Sequence, residues 1–199
     1  MSDKIKDQQN KAEKWFQELR NQMVGAIQNL DGSAFMEKKW ERPGGGGGLM
    51  SISKGNLFEK VGVNISTVYG ELSNEAIQMM TESKNLPHLK ENPSFWASGI
   101  SLVAHMQNPH LPAVHMNTRM FWTKGAWWFG GGADLNPCIE DPLDTKHFHA
   151  IQKKYCDKHD LRFYPKYKDW ADKYFYVPHR KRNRGVGGIF FDEHNTGNW

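Results

Sequence analysis

Two alternating segments joined by a short connection constrain the fold of this chain more than any other feature of its sequence. Residues 96–106 and 113–122 each alternate between two kinds of side chain, and the connection 107–112 contains an asparagine and two prolines. A period of two is typical of a strand with two different faces, and turn formers between two such strands are typical of a hairpin. The sequence therefore predicts an antiparallel hairpin in the middle of the chain.

The two faces of this hairpin differ in chemistry. A register that sets His105 opposite His115 brings Ser101, Asn117 and Arg119 onto the same face of the sheet. Such a polar face is expensive to bury without partners, so we expect it to carry function. The other face is apolar apart from one hydroxyl and is expected to be the core; it consists of Ile100, Leu102, Ala104, Met106, Val114, Met116, Thr118 and Met120.

Helices are predicted on either side of this region. Apolar residues at steps of three and four predict an amphipathic helix that runs to about Leu30. Asp144 is a suitable N-cap for a second helix, which is expected to turn Phe148, Ile151 and Tyr155 inward.

The remaining segments predict strands. The five glycines at 44–48 lie between structured stretches, so we expect an ordered loop there. Strands are predicted within 57–70, at 126–129 and at 187–191. Hairpins rather than strand–helix–strand units favour an α+β fold with a large antiparallel sheet, in a single domain over residues 1–199.

Composition narrows the class of protein. No apolar run approaches the roughly 18 residues of a spanning helix, and the polar start of the chain does not resemble a signal peptide. The two cysteines, Cys138 and Cys156, form no CxxC pair and cannot make a disulfide framework. We therefore expect a protein of a reducing compartment, the cytoplasm, without a membrane span.

The excess positive charge lies in the second half of the chain. The net charge is +4, and residues 101–199 hold 14 basic and 10 acidic residues, whereas residues 1–100 hold 12 of each. Eight basic residues fall between Arg162 and Arg184, against Asp169 and Asp172. Such a surplus favours an anionic partner, either a nucleic acid, an anionic lipid surface or a polycarboxylate, although it is often only a solvated face.

The hairpin histidines permit two kinds of chemistry. His105 and His115 could hold part of a metal site, and together with His149 and His179 the set would suit iron, zinc or manganese. The alternative is proton transfer, for which imidazole is suited near neutral pH. Arg119 adds a guanidinium that can clamp a carboxylate through two hydrogen bonds.

Five segments, in order along the chain, closely resemble the oxygen-dependent coproporphyrinogen III oxidase family. The match runs from about Trp15 to Phe191, nearly the whole chain. The segments are RPGGGGG at 42–48, FEKVGVNIS at 58–66, SLVAHMQNPHLPAVHMNTR at 101–119, WWFGGGADLNP at 127–137 and YFYVPHR…RGVGGIFFD at 174–192.

The resemblance implies both an activity and an architecture. The activity is oxidative decarboxylation of two propionates of coproporphyrinogen III to vinyls, which gives protoporphyrinogen IX in haem synthesis. Dioxygen is the co-substrate, and no organic cofactor is used. The architecture is a large antiparallel sheet flanked by helices on both sides, and a homodimer is expected for full-length members of the family.

The resemblance also implies roles for particular residues. His115 matches the proton-donating histidine, and Asp134 matches the aspartate that holds the pyrrole N–H groups. The positions that match substrate contacts are Ser101, Asn117, Thr118, Arg119, Arg180 and Arg184. The histidines that match a divalent metal site in some members are His105, His115, His149 and His179.

The chain departs from the family in two mild respects and one serious one. Asn136 stands where the family usually has threonine, and Glu193 and His194 follow Asp192 where Asp-Leu is more typical. Members of the family also continue past the position of Trp199, so we expect a C-terminally incomplete domain with poor solubility and low activity. Two alternatives remain open: an inactive, truncated tetrapyrrole-binding fragment, and a basic nucleic-acid-binding module in which Lys and Arg interleave with Tyr and Trp.

Overall fold

A seven-stranded antiparallel sheet organises the chain in the computed structural model, which describes residues 3–197. The strands of this sheet pair with one another in chain order. The strands of the sheet are β1 (Met36–Glu41), β2 (Gly46–Ser53), β3 (Phe58–Glu71), β4 (Ser94–Met106), β5 (Ala113–Thr123), β6 (Ala126–Asn136) and β9 (Gly188–His194). A separate two-stranded ribbon between β6 and β9 consists of β7 (Tyr176–Val177) and β8 (Arg182–Asn183).

Four helices accompany the sheet, which confirms the predicted α+β class. Two 3₁₀ turns, Pro87–Lys90 and Pro178–Arg180, follow α2 and β7. No helix among the residues that the structure describes is long and apolar enough to cross a membrane. The helices are α1 (Asp3–Asp31), α2 (Asn74–Lys84), α3 (Pro142–Asp157) and α4 (Phe163–Tyr174).

The core lies between α1 and the predicted apolar face of the hairpin. Phe16 and Ile27 of α1 pack in one buried cluster with Val61, Ile100 and Met120 from the sheet. This confirms the prediction of a helix that ends near Leu30 and of the face that it covers. We call this side of the sheet the covered face and the opposite side, which carries Ser101, His115 and Arg119, the open face.

Helices lie on both sides of the sheet, as predicted. On the open face, Met80 of α2 and Leu89 of the following turn pack against Trp128 at one end. On the covered face, α4 packs against β9, where the rings of Tyr167 and Phe191 are 5.1 Å apart. Trp170 and Tyr174 of α4 also contact Phe190 of β9, whose pairing with Gly132 places its side chain on the open face.

The predicted register of the hairpin was wrong by two residues. His115 pairs with Val103, Asn117 with Ser101 and Arg119 with Gly99, while His105 pairs with Lys60 of β3. The turn needs more residues than expected, because Asn108 accepts hydrogen bonds from His110 and Leu111 within it, and Pro112 has no N–H for a ladder. An even shift keeps every side chain on its predicted face.

The glycine run is not a loop throughout. Gly44 and Gly45 form the turn with φ of 97° and 125°. Residues 46–48 begin β2 and pair with β3, and Gly47 and Gly48 pair with β1 as well. A Cβ at Gly48 would overlap the Ile65 carbonyl oxygen and lie 2.8 Å from the Trp40 ring. These glycines are therefore needed for the close approach of neighbouring strands.

The start and the inner face of α3 also differ from prediction. Its N-cap is Asp141, which accepts a hydrogen bond from the Leu143 N–H at 2.7 Å, and the following proline occupies the first turn, where it is favoured. Ile151 is 41% exposed and Tyr155 56% exposed, so neither is turned into a core by the described residues.

Strand β1 forms one edge of the sheet and is exposed along its whole length. Four of its six residues are charged: Glu37, Lys38, Lys39 and Glu41.

Candidate active site on the open sheet face

Two adjoining cavities run across the open face. One of about 530 Å³ is lined by His105, Lys60 and Met50, and the other, of about 270 Å³, by Ser101 and Arg119. Both are bounded by Trp40 and Asn64. The predicted polar face is therefore a groove that can receive a large ligand.

His115 and Asp134 face each other across β5 and β6. The register pairs them directly, and His115 Nδ1 lies 3.4 Å from Asp134 Oδ1. Asn136, two residues further along β6 and therefore on the same face, donates from Nδ2 to Asp134 Oδ2 at 2.6 Å and lies 3.0 Å from His115 Nδ1. These three side chains form one polar cluster on neighbouring strands.

The Asn136 amide favours one tautomer of His115. An amide N–H that points at Nδ1 needs an acceptor there, which leaves the proton of a neutral ring on Nε2. The His115 side chain is 28% exposed on the open face. A neutral ring therefore presents an N–H on the open face, while the other nitrogen contacts Asn136.

Arg184 covers the Asp134 carboxylate. Its Nη2 and Nε donate to Asp134 Oδ2 at 2.7 and 3.2 Å, and its guanidinium lies 4.6 Å from the centre of the Phe175 ring. The Asp134 side chain is only 3% exposed, whereas that of Arg184 is 50% exposed. A nearly buried carboxylate is thus paired with a half-exposed cation, which meets its need for a charge partner.

The four predicted metal-binding histidines are not assembled on one ion. His105 and His115 have ring centres 5.7 Å apart, but His149 of α3 is engaged at both nitrogens, by the Val186 carbonyl and the Tyr164 hydroxyl. His179 is exposed in the turn after β7. Among residues 3–197, no three His, Cys, Asp or Glu side chains are grouped to hold a metal. The predicted set does not fit a shared metal in this arrangement.

Arg119 lies at the other end of the groove, between glycines. A Cβ at Gly99 would be 2.9 Å from the Arg119 Cβ, and one at Gly130 would be 3.3 Å from its Cζ. Its Nη2 is 3.4 Å from Asp192 Oδ1, and its side chain is 42% exposed. The missing side chains leave room for the guanidinium to lie along the sheet.

The other predicted substrate contacts divide by face. Ser101 and Asn117 pair directly and line the groove. Thr118 pairs with Ile100, so its side chain is on the covered face and only its backbone can border the groove. Arg180 is exposed in the 3₁₀ turn between β7 and β8, outside the seven-stranded sheet.

Sequence analysis did not identify Asn136 and Asp192 as site residues. Asn136 lies two residues after Asp134 on the same strand, so the period of two would have placed Asn136 on the open face. Asp192 reaches Arg119 only because β9 pairs with β6, and nothing local in the sequence predicts that pairing.

Comparison with known proteins decides the family. The family model described as coproporphyrinogen III oxidase matches residues 11–199. The oxygen-dependent coproporphyrinogen-III oxidases of Rickettsia akari and Rickettsia africae are each 45% identical over 195 residues, which is 93% of this chain and 67% of theirs. That of Rickettsia bellii is 46% identical with the same coverage.

The chain belongs to the coproporphyrinogen III oxidase family. This confirms the resemblance that the five sequence segments carried. The chain spans about two thirds of the length of these relatives. In this member of the family, the open face brings together His115, Asp134 and Arg119 from the matched segments.

Proposed function

We propose that this chain catalyses the oxygen-dependent oxidative decarboxylation of two propionates of coproporphyrinogen III to vinyls, giving protoporphyrinogen IX for haem synthesis. The observation that carries the proposal is the open-face groove. Arg119 is half exposed at one end of the groove, and the same face of the sheet carries His115, in contact with Asn136 at Nδ1, beside a nearly buried Asp134 that is paired with Arg184. The relatives that are named for this activity cover 93% of the chain.

The electron balance of the reaction requires an oxidant. Conversion of one propionate to a vinyl and CO₂ breaks a C–C bond and a C–H bond and releases one proton and two electrons. Two conversions therefore release four electrons, which reduce either one dioxygen to two water molecules or two dioxygen molecules to hydrogen peroxide. Dioxygen as co-substrate thus suffices without an organic cofactor, as the resemblance implies.

The charges of the groove suit a substrate with four carboxylates. Arg119 and Arg184 are both partly exposed cations, and a guanidinium binds a carboxylate through two parallel hydrogen bonds. We assign one propionate to Arg119. Arg184 offers a second propionate the N–H groups that Asp134 does not engage in the free protein, with Arg180 as a further, more exposed contact. Ser101 and Asn117 contact the macrocycle between them, and Thr118 does so through its backbone.

His115 and Asp134 are proposed to act on the reacting pyrrole. His115 is the proton donor on the open face and acts as the imidazolium, whose Nε2–H is transferred while its Nδ1–H faces Asp134 Oδ1 at 3.4 Å. Asp134 stabilises positive charge that develops on the ring and accepts from pyrrole N–H groups. Because Arg184 covers this carboxylate in the free protein, the second role requires the guanidinium to shift when substrate binds.

Turnover of coproporphyrinogen III by the purified chain tests the proposal. We expect protoporphyrinogen to form in air and not under anaerobic conditions, with CO₂ released in a ratio of two to each product. A chelator-treated sample shows whether turnover depends on a divalent metal, which the separated histidines His105, His115, His149 and His179 do not hold together in this arrangement. A folded chain that binds coproporphyrin but yields no product in air would instead support the inactive tetrapyrrole-binding fragment.

A nucleic-acid-binding role is less well supported. Half of the eight basic residues between 162 and 184 are engaged by acids: Arg162 by Asp160, Lys168 by Asp172, Lys173 by Asp169 and Arg184 by Asp134. This pairing reduces the charge left for a nucleic acid to the other four residues, Lys166, Arg180, Lys181 and Arg182. Oligonucleotide binding that falls steeply with salt would revive this alternative.

We propose a cytoplasmic homodimer built from one domain over residues 1–199. Exposed apolar side chains near α3, among them Leu143 at 74% and Leu161 at 71%, support an assembly that covers this region. Light scattering coupled to size-exclusion chromatography tests it, with twice the 23.0 kDa chain mass as the expected result.

A further inference from the structure

A second acidic group faces the groove through Arg119. Asp192 of β9 has its Oδ1 3.4 Å from Arg119 Nη2, and its side chain is 16% exposed. It lies 58 positions from Asp134 in sequence and belongs to the strand at the edge of the sheet. Its pairing with Arg119 is therefore a product of the fold alone.

Asp192 is held by two donors other than Arg119. Trp128 Nε1 donates to its Oδ1 at 3.1 Å, and Lys84 Nζ donates to its Oδ2 at 3.0 Å. Lys84 also pairs with Glu193 and lies 5.4 Å from the centre of the Trp128 ring. Since these donors come from β6 and from the last turn of α2, the carboxylate is fixed from two sides.

The carboxylates beside Lys84 favour its charged form. Burial lowers the pKa of Lys84, but its hydrogen bonds to Glu193 and Asp192 outweigh burial and raise the pKa above its ordinary value. Gly130 leaves the space in which the ion pair forms, because a Cβ there would lie 2.5 Å from Asp192 Oδ1. The ion pair between Arg119 and Asp192 therefore depends on glycine at position 130 as well as on the attraction of the two charges.

We propose that Asp192 is a positioning residue that holds the Arg119 guanidinium along the open face, ready to bind one propionate of the substrate. An arginine on a long side chain loses conformational freedom when it binds, and a fixed partner removes part of that cost in advance. One nitrogen of Arg119 is engaged by Asp192, and its other N–H groups remain for the propionate. This inference rests on the proposed function, because it names the residue that orients a substrate contact.

Steady-state kinetics with the purified chain test the inference. Asp192→Asn keeps the shape of the side chain and an acceptor for Trp128 but removes the charge. We expect it to raise KM for coproporphyrinogen III about threefold to tenfold with kcat within about twofold, because a remote carboxylate contact is made equally in the ground and transition states. The conservative Asp192→Glu is expected to recover part of the loss.

A double-mutant cycle separates positioning from a general structural effect. Arg119→Ala should raise KM at least as much, and adding Asp192→Asn to it should change KM no further. Glu193→Gln is the matched control, since Glu193 shares Lys84 but not Arg119, and it should keep the wild-type KM. If the asparagine variant does not fold, the same cycle with Asp192→Glu decides.

The outcomes are distinguishable from failure of the proposed function. A wild-type KM in Asp192→Asn, or an equal rise in KM on both backgrounds, overturns the positioning role while leaving the activity intact. Fluorescence titration with coproporphyrin gives a second readout, in which the same variants should lose affinity by the same factors. A wild-type chain that neither turns over coproporphyrinogen III nor binds coproporphyrin refutes the proposed function and this inference together.

Discussion

Removing Arg184 is expected to lower the free energy of unfolding more than removing its ion-pair partner Asp134. Arg184→Ala leaves a carboxylate that is 3% exposed with only Asn136 and His115 as partners. Asp134→Asn instead leaves a guanidinium that is 50% exposed and can be hydrated. A buried charge that loses its partner is costly, whereas a solvated one is not.

The magnitudes follow from this difference in exposure. Loss of a partner from a fully buried pair costs about 3–5 kcal/mol. Because Asp134 keeps two polar neighbours, we expect Arg184→Ala to lower the free energy of unfolding by about 2–3 kcal/mol, toward the low end of that range. Asp134→Asn should cost about 1 kcal/mol. In a chain of this size, 1 kcal/mol corresponds to about 2–4 °C in Tm, so the two variants should differ by several degrees.

The double variant provides the sharpest assay. When a neutral asparagine replaces Asp134 the buried charge is gone, so Arg184→Ala should cost little on that background, and the double variant should be more stable than Arg184→Ala alone. Urea unfolding followed by circular dichroism measures all three, with Arg180→Ala as an exposed control expected within about 0.5 kcal/mol of wild type. Equal losses in both single variants, or additive losses in the double variant, would refute the reasoning.

Three further predictions concern catalysis, packing and pH. His115→Ala should lower kcat by about 10²–10⁴-fold while coproporphyrin binding, followed by fluorescence, changes little; retention of full turnover would remove His115 from the mechanism. Gly48→Ala should lower the free energy of unfolding by at least about 1–3 kcal/mol in thermal unfolding, because its methyl group would overlap the β3 backbone. Gly25→Ala in α1 should instead raise it by about 0.5–1 kcal/mol, because a Cβ at this position has nothing within 4 Å. Burial, together with Lys166 and His159, lowers the pKa of His194 below its ordinary value. The unfolded chain therefore binds the proton more readily, and the free energy of unfolding should fall as the pH drops below about 6.5. The decrease in the urea midpoint between about pH 7.5 and about pH 5.5 should be smaller in His194→Asn, and an unchanged pH profile would contradict this.

The parts of the fold that were predictable from sequence are those set by local periodicity. The alternation in the hairpin assigned each side chain to its face, because a period of two is a property of the strand itself. The register was wrong by two residues, since it depends on how Asn108 closes the turn. The cap of α3 was wrong for a similar reason, because Asp141 and Asp144 are equally plausible until the backbone before the helix is known.

The candidate site divides in the same way. His115, Asn117 and Arg119 share a strand face and were found together from their spacing. Arg184 and Asp192 join them through contacts to Asp134 and Arg119 that span 50 and 73 residues of sequence, respectively. Neither contact has a local signal. The resemblance named Arg184 as a carboxylate ligand, but only the three-dimensional structure reveals that it already binds a carboxylate of its own chain.

Strand β1 has a consequence for how this protein behaves at high concentration. An unpaired edge offers its backbone N–H and C=O groups to any other extended chain, and exposed charges on such an edge oppose pairing with a second copy. The charged side chains of Glu37, Lys38, Lys39 and Glu41 therefore act as gatekeepers against edge-to-edge polymerisation. Replacing Lys38 and Lys39 with valine would make that border apolar and β-prone, and the protein would be expected to form fibrous aggregates without any change in its active groove.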